Sequence, residues 1–188
     1  MYVFVKKHNK FLKLITYMEL PAVRLLNDPV LRQKCIPVPP EELSKMPTLV
    51  HTMVEVMKRE KGIGLAANQI GVNYAVFVLG VDGNNEEFIN PEVVSVENPI
   101  DFTEACLSIP GTSAKTKRYN TLTLQYTRTM DLANNIRHEE TFHGLKAIAI
   151  QHEMDHLNGK LYIDQFGPVK RGMVLDKHKK YLRDLSRQ

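Results

Sequence analysis

Two histidines four residues apart, with a glutamate directly after the first, stand in Gln151-His152-Glu153-Met154-Asp155-His156-Leu157. On a helix, residues i and i+4 share a face, so His152 and His156 can offer two imidazole nitrogens to one cation, with Glu153 over its open side. This is the H-E-x-x-H arrangement, in which neutral imidazoles hold a metal and the carboxylate takes a proton from metal-bound water. The bare pattern also arises by chance on charged helix faces, so its surroundings decide its weight. Leu145, Ile148 and Ala149 precede His152 by seven, four and three residues and run an apolar stripe into the ligand pair. The spacing predicts a helix from about Gly144 to Asn158-Gly159, where glycine can take the left-handed C′ conformation.

Two histidines do not close a catalytic site, and a third protein ligand is required beside an open position. Phe102, Glu104 and Cys106 alternate, which places all three on one face if that segment is extended. Cys106 is therefore available as the third ligand, although a lone cysteine is more often a small buried hydrophobe. The longer pattern H-E-x-x-H-x-x-G-x-x-H finds Gly159 in place but Tyr162 at its last position, and no glutamate follows Glu153. Asp164, Asp176 and His178 remain as substitutes that would suit a peptide-bond metalloprotease. Cys106 is the better candidate, because a strand can carry it to the helix face.

The elements that must position these residues can be read in order. The 188 residues, 43% of them apolar, suit one domain with a substantial core. Two cysteines, Cys35 and Cys106, are too few for a disulfide framework, and a reducing compartment is the default. A net charge of +4 allows loose attraction to an anionic partner, but no zinc-finger or RNA-binding signature points to nucleic acid, and DNA is not an expected partner. Lysines at 6, 7, 10 and 13 interrupt every apolar run in residues 1–17, and nothing reaches a transmembrane length. That stretch has neither Arg nor Ser, so it reads as an N-terminal extension rather than an organellar targeting segment, with the domain proper starting near Met18 and running to 188.

Prolines from 21 to 40 predict an extended segment with one turn near Pro29. Ser44 is the expected N-cap of an amphipathic helix through Met46, Val50, Met53 and Met57, ending near Lys61. Gly62-Ile63-Gly64-Leu65-Ala66-Ala67-Asn68-Gln69 lacks the Lys-Ser/Thr ending of a phosphate loop. It reads better as the wall of a tight pocket, with Gln69 offering an amide that can polarise a carbonyl. Strands are expected at Tyr74–Leu79, Glu87–Asn90, Pro91–Glu97, Thr121–Thr127, Ile136–Phe142 and Leu161–Ile163. A final helix after Gly167-Pro168 should turn Val169, Met173, Val174, Tyr181, Leu182 and Leu185 inward and a basic face outward. The fold class is α+β: one compact domain of antiparallel or mixed sheets packed around a central metal-binding helix, with a helix in the N-terminal half and another at the C-terminus.

Three of these stretches, Gly62 to Gln69, Glu104-Ala105-Cys106-Leu107-Ser108 and Gln151 to Leu157, resemble in order and spacing the three signature motifs of peptide deformylase. The resemblance covers the chain from about Met18 to the last helix. It implies removal of the N-formyl group, as formate, from the initiator methionine of nascent polypeptides, in a bacterial-type cytoplasm, by attack of metal-bound hydroxide on the formyl carbon. It implies Cys106, His152 and His156 as metal ligands, Glu153 as general base and acid, and Gln69 with the Leu107 N–H as partners of the formyl oxygen. The metal it implies is Fe²⁺, which Zn²⁺, Ni²⁺ or Co²⁺ can replace. The implied substrate cleft has Gly64 and Leu65 as walls narrow enough to admit formyl and hinder acetyl, and Ile63, Phe102, Leu145, Ile148 and Ala149 against the methionine side chain. Glu104 is expected to pair with Arg118 and brace the cysteine segment, and the basic last helix to touch the ribosome. One departure stands out: Ala105 occupies a position where the family usually has Gly, which brings an extra methyl beside the ligand. Outside the resemblance stand a metalloprotease indifferent to Cys106 and a non-catalytic, metal-stabilised binding module that would survive loss of Glu153.

Overall fold

In the computed structural model, which describes residues 20–187, five strands form one antiparallel sheet in the order β1-β2-β3-β4-β5: Gly64–Ala66, Val76–Leu79, Glu86–Glu104, Ala114–Thr127 and His138–His143. The expected extension over 1–17 and its boundary at Met18 lie outside the described residues. Helix α1 spans Met46–Arg59, α2 spans Gly144–Leu157 and α3 spans Pro168–Leu185. The class is α+β, a single domain whose sheet is antiparallel throughout; the sole parallel element among the described residues is an isolated bridge between Ile36 and Tyr74.

Strand alternation decides which helix packs where. In β2, Phe77 and Leu79 face one way and join Phe88, Leu122, Leu124, Phe142 and Ile150 under α2. Val76 and Val78 face the other way and meet Met46, Met53, Val56 and Met57 of α1. The sheet is thus covered on both faces, and α2 is held against it along its apolar side. A third cluster joins Cys106 and Ile109 to Tyr162, Ile163 and Val174 of α3.

The segment before α1 straps the three signature stretches together. Arg24 N–H donates to Gln69 O (2.7 Å), Leu26 N–H to Ser108 O (2.9 Å) and Cys35 N–H to Leu157 O (2.8 Å). The expected turn at Pro29 is a 3-10 helix, Pro29–Arg32, capped by Asp28, whose Oδ1 accepts from Val30 N–H.

Several elements differ from expectation. Residues 87–90 and 91–97 are not separate strands but parts of β3, which runs 19 residues. Pro91 is tolerated because β2 pairs only with Glu86–Ile89, so the missing N–H falls where no ladder partner is needed, beside a register shift between Ile89 and Glu92. Ser44 does not cap α1; a 3-10 turn over Pro40–Lys45 leads directly into the helix and already contains it. Leu161–Ile163 is not a strand, since Asp164 accepts from Leu161 N–H and winds Tyr162–Gln165 into a 3-10 helix. In α3, only Val174 and His178 are buried, while Val169 (81%) and Met173 (60%) stay exposed. A histidine one turn after Val174 completes the buried strip that the large apolar residues were expected to form.

Candidate metal centre

The H-E-x-x-H residues lie on α2, which starts at Gly144 with φ +58° immediately after β5 and ends before Gly159 at φ +69°. A side chain at Gly159 would run into the carbonyl oxygen of Arg32, so a glycine both stops the helix and admits the strap. Strand β3 stops at Glu104, so Cys106 is presented by the turn that follows rather than by the strand itself. The turn nevertheless delivers it: Cys106 Sγ lies 3.1 Å from His156 Nε2, and the ligand atoms of Cys106, His152 and His156 all fall within 4.8 Å of one another. The substitutes considered from sequence are not brought here. Asp164 pairs with Arg32 at 2.5 Å, Asp176 pairs with Lys179 at 3.8 Å, and His178 Nδ1 faces Pro110 O.

A buried polar chain orients the ligands. Glu104 Oε2 lies 2.8 Å from His152 Nδ1. An ionised carboxylate can only accept, so Nδ1 carries the proton and Nε2 is left free for a cation. Arg118 grips Glu104 through Nε (3.1 Å) and Nη2 (2.9 and 3.1 Å), and its Nη1 reaches Asp155 Oδ2 at 2.7 Å. Burial would raise the Glu104 pKa, but His152 and Arg118 outweigh it and hold the carboxyl below its ordinary range. Burial, then the neighbouring His152, pushes His156 well below its usual value, which keeps it in the neutral form a metal needs. Burial also works to lower His152, but the Cys106 sulfur and Glu104 outweigh it and carry the ring well above its usual value. One sulfur and two imidazoles, with one ring turned by a carboxylate, fit a divalent transition metal.

Glu153 is 4% exposed, and burial lifts its carboxyl to about 7. Its Oε1 lies where a side chain on Gly64 would sit, and its Oε2 is buried with no hydrogen-bond partner. Gly64 is therefore the position that lets the carboxylate approach β1. Gln69 is fixed by accepting from Ala66 N–H at 2.9 Å, and its Nε2 points to Ser108 Oγ (3.1 Å) and Cys106 Sγ (3.8 Å). Leu107 follows Cys106 in the turn, its side chain against Gly62. Ala105 is exposed and lies on the cavity lining, so its extra methyl is not inside a strand.

A cavity of about 800 Å³ opens onto these groups. Ile63, Gly64, Phe102, Leu145, Ile148 and Ala149 line it. Leu65 does not: strand alternation turns it away from Gly64's side, and it is fully buried against α1. Sequence reasoning missed Asp155, the second anchor of Arg118, although it sits between the two histidines. It also missed Asn68, whose Nδ2 donates to His156 O at 2.6 Å, and Tyr162, whose ring stacks near His152 and whose hydroxyl meets Thr112 Oγ1 at 2.7 Å.

The sequence pattern of the family described as polypeptide deformylase matches residues 21–172. The chain belongs to the peptide deformylase family. It is 38% identical over 165 residues to peptide deformylase 2 of Xanthomonas axonopodis pv. citri, covering 85% of this chain and 95% of that one. It is 39% identical over 174 residues to the peptide deformylase of Xylella fastidiosa strain M12, covering 90% and 100%. Among solved structures, the peptide deformylase of Legionella pneumophila superposes with a TM-score of 0.81 at 34% identity, over 90% of this chain and 99% of that one. The family is metal-dependent, and its activity is deformylation of nascent peptides. No helix among the described residues is long and apolar enough to cross a membrane.

Proposed function

We propose that this enzyme removes the N-formyl group of the initiator methionine from nascent polypeptides by hydrolysis at the centre formed by Cys106, His152 and His156. The observation that carries this reading is the convergence of three ligand atoms within 4.8 Å beside a buried carboxylate with an unpartnered oxygen. A divalent cation held there, Fe²⁺ in the cell with Zn²⁺, Ni²⁺ or Co²⁺ as replacements, supplies Lewis acidity towards water and the formyl oxygen.

The protein's own groups do the rest. Glu153 receives a proton from the attacking water at Oε2 and returns it to the departing amine. Gln69 Nε2 and the Leu107 N–H donate to the oxygen on which negative charge develops, and both are fixed before reaction by the turn at Ser108. Gly64 keeps the space beside Glu153 narrow, so a formyl carbon with only hydrogen attached fits where an acetyl methyl would press on the carboxylate. Ile63, Phe102, Leu145, Ile148 and Ala149 receive the methionine side chain. Glu104, held by Arg118, sets the tautomer and angle of His152.

The deciding experiment is an anaerobic assay of formyl-Met-Ala-Ser beside acetyl-Met-Ala-Ser, with Glu153→Ala as control. Formate release from the first peptide only, lost in the variant by ~10²–10⁴-fold, is the expected result. Equal cleavage of both peptides would sink the reading. We place the enzyme in a bacterial-type cytoplasm, with the basic face of α3 as a contact for the ribosome. Binding to ribosomes should weaken steeply with added salt, and binding indifferent to salt would argue against that contact.

A further inference from the structure

We infer that the last turns of α3 build an outer subsite that takes apolar side chains of the residues following the formyl-methionine. The inference rests on the deformylase reading above. The cavity, at about 800 Å³, is more than a formyl-methionyl unit can fill, and it runs from His152 and Glu153 to Tyr181, Leu182 and Leu185. Val23 and Leu25 line it as well, on the segment strapped to Gln69 and Ser108. Leu25 is 41% exposed, Tyr181 41% and Leu185 54%, so these large apolar groups are left facing solvent around the opening of a peptide-binding site.

The wall is anchored. His178, buried one turn before Leu182, donates from Nδ1 to Pro110 O at 3.0 Å, and the Tyr181 ring lies directly over Gly111, where any side chain would collide with it. Pro110 and Gly111 belong to the same turn that presents Cys106, so the helix is fixed relative to the reacting centre. The family pattern matches only as far as residue 172, so Tyr181, Leu182 and Leu185 fall outside the shared part of the site. Apolar substrate side chains covering these groups gain from water exclusion, and polar ones forfeit it.

The test compares kcat/KM for formyl-Met-Leu-Phe and formyl-Met-Ser-Asn on the metal-loaded, full-length enzyme. A preference of about tenfold for the first, equivalent to ~1.4 kcal/mol, is expected. In Leu185→Ser the ratio should fall below about threefold, and in Lys180→Ala, on the exposed face of α3, it should stay near tenfold. Should Leu185→Ser fail to fold, Leu25→Ser on the segment at Gln69 gives the same reading. A wild-type ratio within twofold, or a tenfold ratio that persists in both serine variants, would overturn the inference. If neither peptide is turned over, the deformylase reading itself fails. Equilibrium binding of the two peptides then decides the subsite, and equal affinities overturn it.

Discussion

The inner and outer ends of the cavity share one turn, residues 105–112, yet they are built on opposite principles. At the inner end the positioning groups hold one another, with Arg118 on Glu104, Glu104 on His152, and Gln69 pinned by Ala66 and Ser108, while Glu153 Oε2 is buried without a partner. At the outer end Leu25, Tyr181 and Leu185 remain half exposed, and α3 meets the turn through His178 at Pro110 and Tyr181 at Gly111. Chemistry demands atoms held to fractions of an ångström, which buried and mutually braced side chains supply; the open apolar rim suits the looser recognition proposed above.

Substitutions can break that contrast from either side. The largest effect is expected from Cys106→Ala, which removes one of three ligands; metal content by mass spectrometry and deformylation should both be lost, and retention of stoichiometric metal would contradict the assignment. Arg118→Ala should come next. It leaves Glu104 buried without its cation, which costs ~3–5 kcal/mol of stability, and it loosens His152, which lowers metal affinity by ~10–100-fold; chelator competition and thermal melts measure the two separately. Gly64→Ala should displace Glu153, lowering kcat more than it raises KM while metal content stays near wild type. The smallest effect belongs to the outer end: Gly111→Ala adds strain at φ +76° of ~1–3 kcal/mol and pushes Tyr181 aside. A lower melting temperature should result, with metal still bound.

Legibility in the sequence follows the same divide. The i, i+4 spacing of His152 and His156 and the stop at Gly159 are local geometry, and the helix obeys them. Cys106 does come beside the two histidines, yet through a turn instead of an alternating strand, because β3 ends at Glu104. Asp155 was invisible as an anchor, since nothing in its neighbours announces Arg118 across the sheet. Pro91 suggested a break that the sheet absorbs at an unpaired edge, information only pairing can supply. The β-rich run Leu161–Ile163 lost to one side-chain cap from Asp164. Leu65, expected as a cleft wall, is buried against α1, while its neighbour Gly64 takes the cavity side of β1. In α3 the expected inward face keeps Val174 in the core, while Val169, Met173, Tyr181 and Leu185 stay exposed.

The strap formed by residues 24–35 sets a lower limit on how far the amino terminus can be trimmed. Cleavage anywhere before Arg24 leaves its backbone bonds to Gln69, Ser108 and Leu157 intact, whereas a cut just after Leu26 deletes the first two and leaves Gln69 and Ser108 without that outer support. An enzyme shortened from its amino terminus must therefore keep this proline-flanked entry segment to hold Gln69, Ser108 and Leu157 in register.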